Sequence, residues 1–235
     1  AESDEPLGPV RRQQVGVLFV DIVGFTRMAE SMAPEAVVAM LREFHERMAG
    51  QIFACGGTIE KYIGDEIFAV FGLPTPSPHD AVNTLKCAAL MLKELEAWNA
   101  ERTQKGEQPL GIGIGLNYGP AVMGDVGSEH TLAFTVIGDT VNVASRLESS
   151  VAGTNQIAIG PRTYEAVRND FTCASPAVHC GIEDQRPGRR RLVSVSCSHR
   201  SRRSWTAPGR IARRLSEIWR VVRLPLHGRQ RVQCG

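Results

Sequence analysis

The sequence predicts an α+β domain with a ferredoxin-like βαββαβ-type core, a largely antiparallel sheet carrying packed helices. Three observations lead there. Short β-prone apolar runs alternate with two long amphipathic stretches, and two of those runs are separated by a two-residue turn. The resulting order, β-α-β-β-α-β-β-β-α-β-α, mixes hairpins with crossover helices.

Val15 to Val20 is an almost unbroken apolar run ending at Asp21, which reads as a strand buried on both faces. From Pro34 onward, Val37, Met40, Leu41, Phe44 and Met48 recur at helical spacing with charged residues between them. Pro34 suits the first turn of that helix, and Cys55-Gly56-Gly57 closes it. Thr58 to Ile63 and Glu66 to Phe71 flank Gly64-Asp65 and predict a hairpin. Leu73 to Pro78 is a proline-rich connector, after which Ala81, Leu85, Ala88, Leu92 and Leu95 mark a second helix running to about Trp98.

Gly111 to Asn117 and Ala121 to Val126, divided by Tyr118-Gly119-Pro120, predict a strand pair. Glycine at alternate positions lets something approach one face closely. Phe134 to Ile137 is a further strand, broken at Gly138-Asp139-Thr140 before a helix through Ser149. Gln156 to Ile159 and Thr163 to Val167 add a strand and a short helix. Past Asn169 the periodicity fades, apart from a short helix expected around Ile211 to Val222.

The 235 residues are 43% hydrophobic and 22% charged, which excludes a disordered or collagen-like chain as a whole-length description. No apolar run reaches the roughly 18 residues that cross a bilayer. The net charge of +2 hides an asymmetry, with −9 over residues 1–170 and +11 over residues 171–235. Three segments follow: a linker over 1–14, one domain over 15–170, and an Arg-rich atypical segment over 171–235, expected to be disordered or replaced. Cys55 and Cys87 lie among apolar neighbours as free thiols, and the other four cysteines match no CxxC metal pair. A reducing, cytoplasmic setting is expected. No GxGxxG turn, Walker A loop, HExxH or GxSxG is present.

Asp21 ends a buried strand where the chain turns toward a helix through Ile22, Val23, Gly24, Phe25 and Thr26, and backbone N–H groups at such a turn can hold phosphate. Asp65 sits at the hairpin tip, with Lys61 four residues before it. On the helix after Thr140, at about 100° per residue, Val141, Val143, Ala144 and Leu147 face one way. Asn142, Ser145, Arg146 and Ser149 face the other. An arginine beside an amide at i−4 suits phosphate stabilisation. Taken alone, the plainer readings are a helix cap for Asp21, a turn-former for Asp65 and a solvated face for Asn142 and Arg146.

Three blocks change that balance. Phe19-Val20-Asp21-Ile22-Val23-Gly24-Phe25-Thr26, Glu60-Lys61-Tyr62-Ile63-Gly64-Asp65 and the run from Val136 to Glu148 resemble, in order and separation, the signature blocks of the class III nucleotidyl cyclase catalytic domain. The similarity covers about Val15 to Val167. The resemblance implies conversion of ATP to 3′,5′-cyclic AMP and pyrophosphate by attack of the 3′-hydroxyl on the α-phosphorus. It implies two divalent cations, Mg²⁺ or Mn²⁺, on Asp21, Asp65 and the Ile22 carbonyl, and a triphosphate cradle from Val23 to Thr26. Arg146 would be the transition-state arginine and Asn142 the ribose-orienting amide.

Lys61 and Thr135 would read the purine, threonine there resembling the bacterial and soluble-type adenylyl cyclases. A threonine hydroxyl can accept from adenine or donate to guanine, so chemistry alone discriminates weakly. The resemblance further implies an antiparallel homodimer, one copy giving the carboxylates and Lys61, the other Thr135, Asn142 and Arg146. With Ala1 rather than Met at its start, the sequence reads as part of a longer chain with a sensory unit upstream. Nothing after Phe171 matches the family, and Arg189, Arg190 or Arg191 are the candidates to replace its missing basic phosphate contact. Two other readings remain open: a catalytically silent cyclase-like module, or a guanylyl cyclase. Specific nucleic-acid binding through the Arg-rich end is not expected, since no aromatic stacking set or zinc motif accompanies it.

Overall fold

The computed structural model describes residues 10–126 and 134–171, together with the backbone of residues 220–222. Its elements are β1 (Arg11–Ile22), α1 (Phe25–Ala29), α2 (Pro34–Ala54), β2 (Gly57–Ile63), β3 (Glu66–Phe71), α3 (Asp80–Gln104), β4 (Ile112–Asp125), β5 (Phe134–Ile137), α4 (Asp139–Ser150), β6 (Gln156–Ile159), α5 (Pro161–Val167) and β7 (Arg220–Val222). The strands form one sheet in the order β2-β3-β1-β4-β6-β7, with β5 also paired to β4. Each neighbouring pair among the first four is antiparallel and β4–β6 is parallel, so the expected α+β fold on a βαββαβ core is present.

Period-two alternation divides the strands between two cores. Leu18, Val20 and Ile22 of β1 point into a large cluster with Met40, Phe44, Met48 and Ile52 of α2 and Leu85, Met91, Leu95 and Trp98 of α3. Val15, Val17 and Phe19 point to the opposite face, into a smaller cluster with Phe68, Val70, Met123, Val136 and Ala144. There the rings of Phe19 and Phe68 stack at 4.6 Å. On the first face, Arg47 of α2 pairs with Glu43, Glu94 and Glu101 and lies over Trp98, tying α2 to α3.

Several boundaries differ from the sequence reading. Residues 11–14, expected as linker, belong to β1, because Arg11 to Gln14 pair with Met123 to Pro120. The expected strand pair over 111–126 is one 14-residue strand. Tyr118-Gly119-Pro120 does not turn, because β1 pairs with β4 along its whole length. Pro120 falls between the stretches of β4 that pair with β6 and β5, where that flank has no ladder partner among the described residues. Its carbonyl instead accepts from Thr140 Oγ1 at 2.7 Å. The helix after Pro78 runs six residues past Trp98, to Gln104. Residues 220–222 pair with β6 rather than ending a helix; the rest of the 171–235 expectation, including Arg189, Arg190 and Arg191, lies outside the described residues.

Candidate active site

The glycines of β4 determine what sits on the second face of the sheet. A Cβ on Gly115 would run into the Ala144 carbonyl and the Glu148 amide of α4, so only glycine lets that helix approach so closely. The helix is held at its start by Asn117, whose Nδ2 donates to the Thr140 carbonyl at 3.2 Å. As its angles predict, Ala144 and Leu147 are buried and Asn142 and Arg146 are exposed. The side chains of Asn142 and Arg146 make no hydrogen bond or ion pair among the described residues.

Glu148 is one of the residues that sequence reasoning missed. It lies on the buried side of α4, and a Cβ built on Gly113 would be 3.2 Å from Glu148 Oε1 and 3.4 Å from Asp21 Oδ1, so the two carboxyl groups meet over that glycine. Burial, a hydrogen bond with Asp21 and repulsion from Asp21, Glu66 and Asp65 hold the Glu148 carboxyl well above its ordinary range. A glutamate on the apolar arc of the helical wheel was the available signal.

Asp21 and Asp65, 44 positions apart in the sequence, come together here. The hairpin of β2 and β3 turns at Gly64-Asp65, with Ile63 opposite Glu66, and delivers Asp65 to the end of β1. Its Oδ2 accepts from the Ile22 N–H at 3.2 Å. Burial pushes the Asp65 carboxyl up, two backbone N–H donors pull it down, and Asp21 adds repulsion. Glu66 is likewise raised by burial and by Asp21 and Asp65. His45 of α2 supports the tip through Nε2, 3.1 Å from the Gly64 carbonyl, and its ring lies 4.4 Å from that of Tyr62.

Beyond Ile22 the chain enters α1 through Gly24, whose φ of +75° suits glycine. The N–H groups of Phe25 and Thr26, at the start of α1, have no acceptor within the helix. Val23 differs from expectation, since its N–H already donates to the Gly111 carbonyl at 2.9 Å.

A third group lies on β2 and β5. Thr135 Oγ1 donates to Glu60 Oε1 at 2.7 Å, and Lys61 Nζ lies 3.3 Å from Glu60 Oε2. Lys61 and Thr135 are therefore linked through Glu60 within one chain. The expected division, with Lys61 alongside the carboxylates and Thr135 on the other copy, does not fit this contact.

Residues 8–181 match the adenylate and guanylate cyclase catalytic domain family, so the likeness runs ten residues past Phe171, where none was expected. The chain belongs to that family. Among relatives of the cyclase domain, adenylate cyclase 1 of Rhizobium meliloti (strain 1021) is 38% identical over 151 residues, covering 63% of this chain and 23% of that protein. The solved adenylyl cyclase CyaB from P. aeruginosa superposes with a TM-score of 0.72 at 26% identity, over 93% of this chain and 98% of that one. The guanylyl cyclase Cya2 superposes with a TM-score of 0.63 at 36% identity, over 77% and 88%. The chain spans between a fifth and about a third of the first curated relatives it matches. No helix among the described residues is long and apolar enough to cross a membrane.

Proposed function

We infer that this cyclase domain is an adenylyl cyclase, converting ATP to 3′,5′-cyclic AMP and pyrophosphate. The observation that carries the reading is the meeting of Asp21 and Asp65 under the turn into α1, in a fold shared with an adenylyl cyclase over nearly its whole length. The crowded carboxyl groups of Asp65 and Glu66, both raised by burial and by Asp21, are what an added cation would relieve.

The donors are oxygens only, and among the described residues no three acidic, His or Cys side chains form a complete cage. That suits hard ions that take their remaining ligands from phosphate and water. Asp21, Asp65 and the Ile22 carbonyl would hold two divalent cations, Mg²⁺ or Mn²⁺, whose charge would make the 3′-hydroxyl more acidic and offset that of the triphosphate. Gly24, Phe25 and Thr26 would contact the triphosphate, and Val23 would shape the turn, its N–H being engaged elsewhere. Arg146 would offset charge on the α-phosphoryl oxygens as the bond to pyrophosphate breaks, and Asn142 would fix the ribose.

The geometry of α4 favours a site shared by two copies. Glu148 contacts Asp21 from the buried side of the helix, while Asn142 and Arg146 leave from the opposite side, away from their own carboxylates. An antiparallel homodimer would bring the Asn142 and Arg146 of one copy, with Lys61 and Thr135, to the Asp21 and Asp65 of the other. A guanylyl cyclase is the second reading, supported by the 36% identity to the guanylyl cyclase Cya2.

Cyclic nucleotide and pyrophosphate are measured with ATP or GTP and either metal, for the unaltered chain and Asp65→Asn. Cyclic AMP from the first and none from the second is expected; preference for GTP reverses the substrate assignment, and an active Asp65→Asn overturns the metal site. Asp21→Ala and Arg146→Ala, each inactive alone, should regain activity when mixed. A dead mixture in which dimers form removes the shared site.

A further inference from the structure

We propose that Glu60 sets the polarity with which the purine is read, making Thr135 an acceptor only and so favouring adenine over guanine. The inference rests on the cyclase reading above, with Lys61 and Thr135 at the base. Glu60 falls where the β2–β3 register shifts between Ile59 and Lys61, so it is the residue of β2 left out of the ladder. Bulges of this kind re-aim a side chain beside active sites. Here the bulge turns a carboxylate inward, to 3% side-chain exposure.

A threonine hydroxyl has one proton to give and two lone pairs to receive. An ionised carboxylate only accepts, so in the 2.7 Å contact with Glu60 Oε1 the shared proton comes from Thr135. That commitment leaves Thr135 with lone pairs alone for a ligand. Among the described residues Glu60 Oε2 is buried without a hydrogen bond, and it lies 3.3 Å from the Lys61 ammonium, which remains half exposed and offers only donors.

The site therefore presents an acceptor and a donor joined by one carboxylate. Adenine offers the complement, an amino donor at C6 beside the N1 acceptor. Guanine offers the reverse, with O6 accepting and N1 carrying a proton, so its O6 would meet a lone pair. Turning the hydroxyl round would strip Glu60 Oε1 of its partner in a buried place, a loss of about tenfold or more in affinity.

The test is the ratio of kcat/KM for ATP to that for GTP, measured with Mn²⁺ on the same preparation so that the folded fraction cancels. In Glu60→Gln the carboxamide can donate to Thr135 and release its proton, and the ratio should fall by about tenfold. Thr135→Val should lower the ratio as well, Thr135→Ser should keep it, and Glu60→Gln should add nothing on top of Thr135→Val. A ratio unchanged in Glu60→Gln while Thr135→Val shifts it overturns the role of Glu60 and leaves the cyclase reading intact.

An unaltered chain that prefers GTP overturns the polarity argument itself. One that turns over neither nucleotide refutes the cyclase reading, and the ratio is then taken from competition of ATP and GTP against an N-methylanthraniloyl-labelled ATP. Loss of ATP preference in Glu60→Gln supports the inference there, and no change, or no binding of either nucleotide, overturns it.

Discussion

The two faces of the sheet solve different problems. Under α2 and α3, Trp98, Phe44, Met48 and Leu85 are fully buried, and Arg47 at the seam is surrounded by three glutamates. Burial and charge pairing both stabilise that side. Under α4, Glu148 is pressed against Asp21, with Asp65 and Glu66 close by, and burial opposes the ionised form of Asp65, Glu66 and Glu148. A fold that tolerates like charges on one face draws its stability from the other, the usual relation between a working site and its scaffold.

Four substitutions can break or sharpen that contrast. The largest effect is expected from Asp65→Asn, which should remove at least about 10³-fold of turnover while leaving the urea midpoint unchanged or higher, since a half-buried carboxyl is neutralised. A clear loss of stability there would erase the distinction between the faces. Trp98→Ala should do the opposite, costing about 3–5 kcal/mol in urea unfolding with kcat per folded molecule preserved at low temperature.

Gly115→Ala crosses between the two classes, because the new methyl displaces α4. It should cost about 1–3 kcal/mol and lower kcat as well, since Asn142 and Arg146 ride on that helix. Smallest is Arg47→Ala, expected at about 1 kcal/mol, because each of its partners remains part-exposed. It should not alter KM for ATP.

Much of the helix side was legible in the sequence. The apolar spacing of α2 and α3 is a local property, and the hairpin at Gly64-Asp65 needs only a turn between two β-prone runs. The opposed faces of α4 also followed from its angles. What could not be read locally was anything fixed by a partner strand. Arg11 to Gln14 look polar and linker-like, yet they are strand because β4 is long enough to pair with them. Pro120 looks like a break, yet pairing with β1 on one side overrides it.

Site residues were legible where a motif carried them and invisible where tertiary contact did. Asp21, Asp65, Asn142 and Arg146 lie in three sequence blocks. Glu60 and Glu148 lie in the same blocks, but their roles depend on a bulge and on a glycine-lined approach, neither of which has a pattern of its own. His45 acts through a backbone carbonyl at the hairpin tip, a contact that the spacing of α2 does not disclose.

Arg146 leaves α4 on its exposed side. On the proposed reading, a solitary copy carries both halves of the machinery and can use neither, so turnover per molecule should climb with concentration until pairing saturates. Output would then report crowding of the protein itself, and any event that gathers or separates copies would act as a switch without touching the chemistry.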